Sequence, residues 1–417
     1  MSYFFLPRNN ITNININFVL NNEIKNIPTS IFNYYIKLYN EINNLIVNDP
    51  LMYFYNYEKI IKIMNPYEYI YCNIPGSKFS VSKLKTKSLL FYDLIEIHNS
   101  LDLFSYNKYR SDILIISPNF EDFTHYIDLM INDNNNDNIT CLFKLDNMSC
   151  NMIRNKKYDF IYYEEPINVD TNPKLYVNSI IKVLFVILNC QANDGNCLIK
   201  IDNIFYKPII EILYLLTTIF EKVYIFKPNT INVATGEKYI VCKTFISYKI
   251  TKINTSITVK ESEKIIVKEP ETKDNNLVEM VNYLNDLNNI TIVSLLDKEI
   301  PCYFLNKIYD LNSILVQQQL EVMEQLITIL KTKNREEKME ILKKNNMQKS
   351  IIWCEKFKIP YNKFTEKTNM FLSIPKDINM IDNVLDNGLD NGLNNGLDNR
   401  LNNFLENDNI HDDNEFI

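Results

Sequence analysis

Apolar and polar positions along this chain recur with two periods, and the points where the period changes outline its elements. In IFNYYIKLYNEINNLIV the apolar side chains Ile31, Tyr34, Tyr35, Leu38 and Ile42 fall at helical spacing. The run SLLFYDLIEIHNSLDLF, beginning at Ser88, repeats that spacing and predicts a second amphipathic helix. Asp112 to Ser117 (DILIIS) then reads as a short buried strand, followed by a helix near Phe120 to Ile131. Beyond the polar loop NDNNNDN, the runs ITCLFKLD and YDFIYYE read as two further strands. A long apolar helix over Lys174 to Cys190 leads through a turn into a strand ending at Lys200.

The stretch from Gly195 to Phe245 carries the clearest change of period. Its strand ends in Lys200, a helical segment runs from Lys207 to about Glu221, and KVYIFKP forms the next strand. A turn-rich loop follows, and EKYIVCKTF, opening on Glu237, is the last strand. This order describes one crossover unit of an α/β sheet with an antiparallel return. After about Lys249 the pattern becomes charged (ITVKESEKIIVKEPETKDNN), as in a linker or a protruding hairpin. Leu277 to Leu296 and Ser313 to Phe357 have helical spacing, and Trp353, the only tryptophan, reads as a core residue. The end repeats Leu-Asp-Asn-Gly with a period of four, a composition that opposes helix and cannot bury a core.

Four segments are expected. Residues 1–70 form an N-terminal extension, 71–250 the main α/β domain, 251–375 a mainly helical C-terminal region, and 376–417 an acidic tail without stable structure.

The residues of the main domain resemble FtsJ-like RNA ribose 2′-O-methyltransferases. In that family a strand ending in Lys precedes a helix, a strand ending in Lys-Pro, and a loop carrying Glu-x-Tyr. Here Lys200, Lys227-Pro228 and Glu237-Lys238-Tyr239 stand at the corresponding places, without the family's Ser-Arg pair. Upstream, Tyr92, Leu94, Glu96 and Ile97 match the family's entry helix, and Asp93 occupies its lysine position. Asp159 and Ile161 match the strand that ends in the second catalytic acid, here Glu164. The likeness is nearest to the divergent members of large cytoplasmic DNA viruses.

The resemblance implies a class I, Rossmann-like sheet, mostly parallel and seven-stranded, with helices on both faces. It implies S-adenosylmethionine (SAM) as cofactor and Asp93, Glu164, Lys200 and Glu237 as the catalytic set. A ribose hydroxyl must lose its proton as it attacks the methyl group, and a lysine serves as base only if its pKa is depressed. Three carboxylates around one lysine push that pKa the other way. At the cofactor junction the family's Gly-rich turn is replaced by Ser117-Pro118-Asn119-Phe120-Glu121, and no glycine lies between Gly76 and Gly195. Ser117 and Asn119 are the candidates there. Asp146 is either the acid that holds the ribose hydroxyls, a place Lys144 also fits, or a helix N-cap beside Asn147. Glu164 likewise has a bland reading, a surface acid at a strand end.

Charge and cysteine usage narrow the partners. The chain has 417 residues and a formal net charge of −7. From Lys376 onward two basic residues face ten acidic ones, so the body is near neutral and any nucleic-acid surface must be local. Two such patches stand out: Lys78, Lys83, Lys85 and Lys87 among hydroxyl residues, and Lys331 to Lys358, with nine basic residues against four acidic. The first also reads as a solvated connecting loop, and a charge run like the second is more often a solvated helix face. Eight scattered cysteines without a C-x-x-C pair, and three histidines, argue against a zinc site and for reduced thiols in a reducing compartment, which the viral resemblance implies is the host cytoplasm or a virion. No signal-peptide or membrane-spanning pattern is expected.

Two functions follow from the resemblance: an RNA 2′-O-methyltransferase, with the mRNA cap as one substrate, or an inactive methyltransferase-fold protein serving as RNA-binding, scaffold or virion component. A third is a subunit whose C-terminal helices dock a protein partner.

Overall fold

The computed structural model describes residues 2–9, 14–21, 29–48, 50–74, 79–104, 111–130, 138–167, 169–246, 253–261, 264–268, 277–286, 291–296, 298–332 and 336–362. The tail 376–417, Gly76 and Lys78 lie outside the described residues.

The chain opens with β1 (Ser2–Leu6), β2 (Ile14–Asn21), α1 (Ser30–Asn48), α2 (Pro50–Met64) and α3 (Leu90–Leu101). The central part contains β3 (Asp112–Ile116), α4 (Phe120–Met130), β4 (Asn138–Leu142), α5 (Asn147–Ile153), β5 (Tyr158–Tyr163) and α6 (Pro173–Cys190). It continues through β6 (Gln191–Ile201), α7 (Lys207–Ile219), β7 (Phe220–Lys227) and β8 (Lys238–Phe245). The C-terminal part holds β9 (Ile253–Glu261), β10 (Lys264–Lys268), α8 (Leu277–Asp286), β11 (Thr291–Ser294), α9 (Cys302–Lys331) and α10 (Glu336–Lys356).

Seven strands form the main sheet in the order β1-β7-β8-β6-β5-β3-β4. Strands β4, β3, β5 and β6 are mutually parallel; β8 returns antiparallel between β6 and β7, and β1 closes the edge antiparallel to β7. Five strands therefore share one direction, and β1 and β8 oppose them. The connections reverse sides between β3 and β5, which makes a topological switch point at the carboxyl ends of these strands. This is the Rossmann-like α/β architecture that the resemblance implies, and it contains the crossover unit and antiparallel return read from the change of period. A second sheet, β10-β9-β2-β11, joins the N-terminal and C-terminal segments.

Alternation along the parallel strands explains the layers. Leu114, Ile116, Ile161 and Tyr163 point to a core shared with α6, α7 and the second sheet. Their neighbours Ile113, Ile115, Phe160 and Tyr162 point to the opposite core, filled by α2, α3, α4 and α10. Helix α6 is apolar all round because it lies in the first of these cores. Helix α9 belongs to both. Phe304 and Leu315 pack in one core and Leu320 and Leu330 in the other, so this helix passes from one face to the other.

Three sequence readings change here. The N-terminal extension supplies β1 to the main sheet. The helix expected over Leu277 to Leu296 stops at Asp286, and Thr291–Ser294 pairs with β2 instead. That segment is β-branched, and a strand partner from far away in sequence overrides the local helical spacing. The helix expected over Ser313 to Phe357 begins earlier, at Cys302, and is divided into α9 and α10.

Helix α10 is fastened to the domain by a buried polar node. Glu96, on α3, is fully buried. Its carboxylate accepts from Trp353 Nε1 at 2.5 Å, Asn229 N at 2.6 Å and Asn229 Nδ2 at 3.1 Å. A buried charge is tolerated only with such a set of donors. Trp353 is thus a core residue, stacked edge-on against Tyr92. Trp353→Phe keeps most of the ring and removes one donor, so it should destabilise the fold by about 1–3 kcal/mol. Chemical denaturation compared with a surface control such as Ile352→Val measures this; an unchanged midpoint would contradict the assignment.

Candidate active-site crevice

Four strand ends converge on one edge of the sheet. Ser117 follows β3, Glu164 follows β5, Lys200 is next to last in β6, and Glu237 immediately precedes β8. Because β8 runs against the others, its start and their ends share that edge. The register pairs Lys200 with Tyr239, which sets Glu237 beside Lys200. Lys200 Nζ lies 2.9 Å from Glu164 Oε1 and 3.6 Å from Glu237 Oε2. Asp93, in the first turn of α3, lies behind this pair. It accepts from Tyr239 OH at 2.9 Å and from the Thr230 hydroxyl.

The electrostatics follow from one cation among several acids. Burial alone would lower the Lys200 pKa, but Glu237, Glu164 and Asp93 overcome it and hold the ammonium well above its ordinary value. Burial pushes Glu164 up; the charge and hydrogen bond of Lys200, with those of Ser117 and Tyr162, bring it below the usual carboxylate range. Ser117 Oγ donates to Glu164 at 3.0 Å and Tyr162 OH at 3.1 Å. Asp93 is pushed up to about 7, mainly by burial, against the Lys200 charge and its two hydroxyl donors. Two carboxylates at 2.9 and 3.6 Å thus favour the protonated form of Lys200.

The loop from Pro228 to Glu237 is clasped from several directions. Asn232 Nδ2 donates to Ile61 O, Gln319 Nε2 to Ala234 O, and Lys227 Nζ to Thr235 O at 2.7 Å. Lys238 Nζ donates to the carbonyls of Asp202 and Gly236. Burial lowers Lys227 to about 8 and Lys238 to about 7. A Cβ at Gly236 would lie 2.0 Å from Asp202 Oδ1 and 2.5 Å from the Asn203 amide. Close packing there, not loop flexibility, requires glycine.

The cofactor junction is closed by its own polar groups. Ser117 N donates to Leu142 O at 3.0 Å, and Asn119 N donates to Ser117 Oγ at 3.0 Å. Ser117 Oγ is itself committed to Glu164. Asp146 lies four residues beyond β4 and caps α5, accepting from Ser149 N at 2.9 Å. That bond, with Lys144 nearby, lowers its pKa. Ser117 and Asn119 come together, and Asp146 serves the local helix. The Ser117 hydroxyl and the Ser117 and Asn119 backbone N–H groups are engaged within the protein, and side chains stand where the resembled family has glycines.

Beside Lys200 a cavity of about 390 Å³ opens on the same edge. It is lined by Glu164, Lys200 and Glu237 from the sheet, by Tyr35 and Tyr39 from α1, and by Gln319, Met323 and Leu326 from α9. These two helices roof it and are tied together by Tyr34 OH to Glu324 at 2.6 Å and Lys331 to Glu41 at 2.5 Å. The sequence reading assigned no chemistry to the α1 segment. Its tyrosines follow helical core spacing and differ in no way from packing residues until the sheet edge is placed under them. Thr230 likewise carries no motif that marks it.

No protein-family model matches this chain, and no curated protein matches it. Among solved structures, one from Plasmodium falciparum described as a ribosomal RNA methyltransferase is similar over 38% of this chain and 98% of its own. The identity is 16% and the TM-score 0.29, too low to add to what the strand order establishes.

Asp93 gives a signed pH prediction. Its folded pKa of about 7 lies above the ordinary unfolded value of about 3.9. Between these values the folded state retains a proton that the unfolded state has lost, so stability falls as pH rises through the window and levels above it. Asp93→Asn removes this dependence. The stability of the native chain relative to the variant should fall by on the order of 4 kcal/mol from pH 4 to pH 7. Urea denaturation at several pH values reads the difference; a flat or rising curve would refute a neutral, buried Asp93.

Proposed function

We propose that this is a methyltransferase-fold protein that transfers no methyl group itself and binds RNA through a basic shoulder outside the crevice. The observation that carries the reading is the state of Lys200. It is clamped by Glu164 and Glu237, with a buried carboxylate at Asp93 where the resembled family has a second lysine. Such a site holds excess negative charge. It repels a phosphodiester, and its paired lysine is a poor base for a ribose hydroxyl.

The two lysine-rich segments support the RNA side of the proposal. Val81 to Lys83 runs beside Pro360 to Asn362, joined by a bridge between Ser82 and Tyr361 and by Lys83 N to Pro360 O at 2.9 Å. Exposed Lys83 and Lys85 thereby share a surface with Lys356 and Lys358. Arrays of this kind bind phosphates without reading sequence.

The test has two arms. With labelled SAM and capped or uncapped RNA, the intact protein should give no methyl transfer. In filter binding, Lys83→Glu with Lys358→Glu should weaken RNA affinity at least about tenfold and reduce the salt slope by about one per lysine removed. Methyl transfer that Lys200→Ala abolishes would overturn the reading and restore the enzyme. RNA binding indifferent to the lysines would remove the shoulder.

A further inference from the structure

We propose that the cavity beside Lys200 is a binding site for an organic cation, an alkylated or protonated nitrogen on a small molecule or side chain, and not for a phosphate. The proposal rests on the cavity alone and is independent of RNA binding at the basic shoulder.

The first argument is the charge of the lining. Five carboxylates, Glu164, Glu165, Asp170, Asp202 and Glu237, face the cavity with one cationic residue, Lys200. That ammonium already serves Glu164 and Glu237. Lys227 and Lys238, packed beneath the loop, are directed at carbonyl oxygens of Thr235, Asp202 and Gly236. The remaining acids, Glu165, Asp170 and Asp202, are half-buried. Burial raises Asp170 to about 6 and raises Asp202 as well, and the Asp202 charge pushes Asp170 further in the same direction. An incoming cation would relieve this repulsion, and an incoming phosphate would add to it.

The second argument is the chemistry of the walls. Tyr35, Tyr39, Tyr57 and Tyr176 all line the cavity. The Tyr35 and Tyr39 rings stack with centroids 6.2 Å apart and planes 24° from parallel. Tyr35 OH donates to Asp170 at 2.7 Å, which fixes that ring relative to the carboxylate. Tyrosine faces attract cations, most strongly where water is excluded, by about 0.5–2 kcal/mol each. Among the described residues no three acidic, histidine or cysteine side chains are grouped to hold a metal ion. The space suits a ligand of small organic size. Tyrosines and carboxylates lining one cavity favour a bulky, weakly hydrated cation over a bare one.

The experiment is calorimetric titration of the full chain with tetramethylammonium and with arginine amide, set against sodium chloride and inorganic phosphate at equal ionic strength. At least one organic cation should bind with a millimolar or tighter Kd, while sodium and phosphate give no saturable heat. Asp170→Asn and Tyr39→Leu should each weaken the cation about tenfold, equal to about 1.4 kcal/mol. Glu237→Gln, on a half-exposed side chain, keeps the side-chain shape and leaves Glu164 paired with Lys200, so it disturbs the fold least, and it should weaken binding about threefold or more in the same direction. Saturable phosphate binding, no heat with either cation, or cation binding unaltered in a folded Glu237→Gln protein would overturn the proposal.

Discussion

The crevice depends on one ammonium group. Lys200 is the cation that joins the ends of β5 and β6 to the loop before β8, through Glu164 and Glu237. None of these elements is adjacent in sequence. Removing a charge from water is costly, and the cost is offset here only because two carboxylates lie within reach and Ser117 and Tyr162 complete the Glu164 shell. The same pairing that lets the lysine be buried keeps it protonated. Structural support and proton abstraction therefore make opposite demands on this residue.

Around that centre the peripheral segments do more than cover the sheet. Helices α1 and α9 roof the crevice, and α9 reaches it by crossing from one face of the sheet to the other. Helix α10 is held by the indole of Trp353 on Glu96, whose other oxygen bonds serve Asn229 at the start of the loop that carries Glu237. The C-terminal helices and the crevice loop thus share a single buried carboxylate. A change in the seating of α10 would be felt at the loop through that group, because a buried charge keeps its donors.

Charge is sorted in space although the body of the chain is near neutral. Carboxylates collect inside the crevice, whereas Lys83, Lys85, Lys356 and Lys358 lie on an outer surface that two distant segments build together.

Much of the frame was legible in the order of residues. Period alone located the strands ending at Ser117, Glu164 and Lys200 and the helices between them, because alternation and helical spacing are local properties. The resemblance of the Lys200 to Tyr239 segment marked the residues that meet at the sheet edge, since a strand end followed by a fixed crossover leaves few places for them. What only tertiary structure decided was pairing over long distance. Strand β1 joins β7 and strand β11 joins β2, and neither partner is near in sequence. The role of Tyr35 and Tyr39 was hidden for the same reason. A tyrosine at core spacing is identical in sequence whether its ring faces packing or a cavity, and the arrival of the sheet edge beneath α1 determines which.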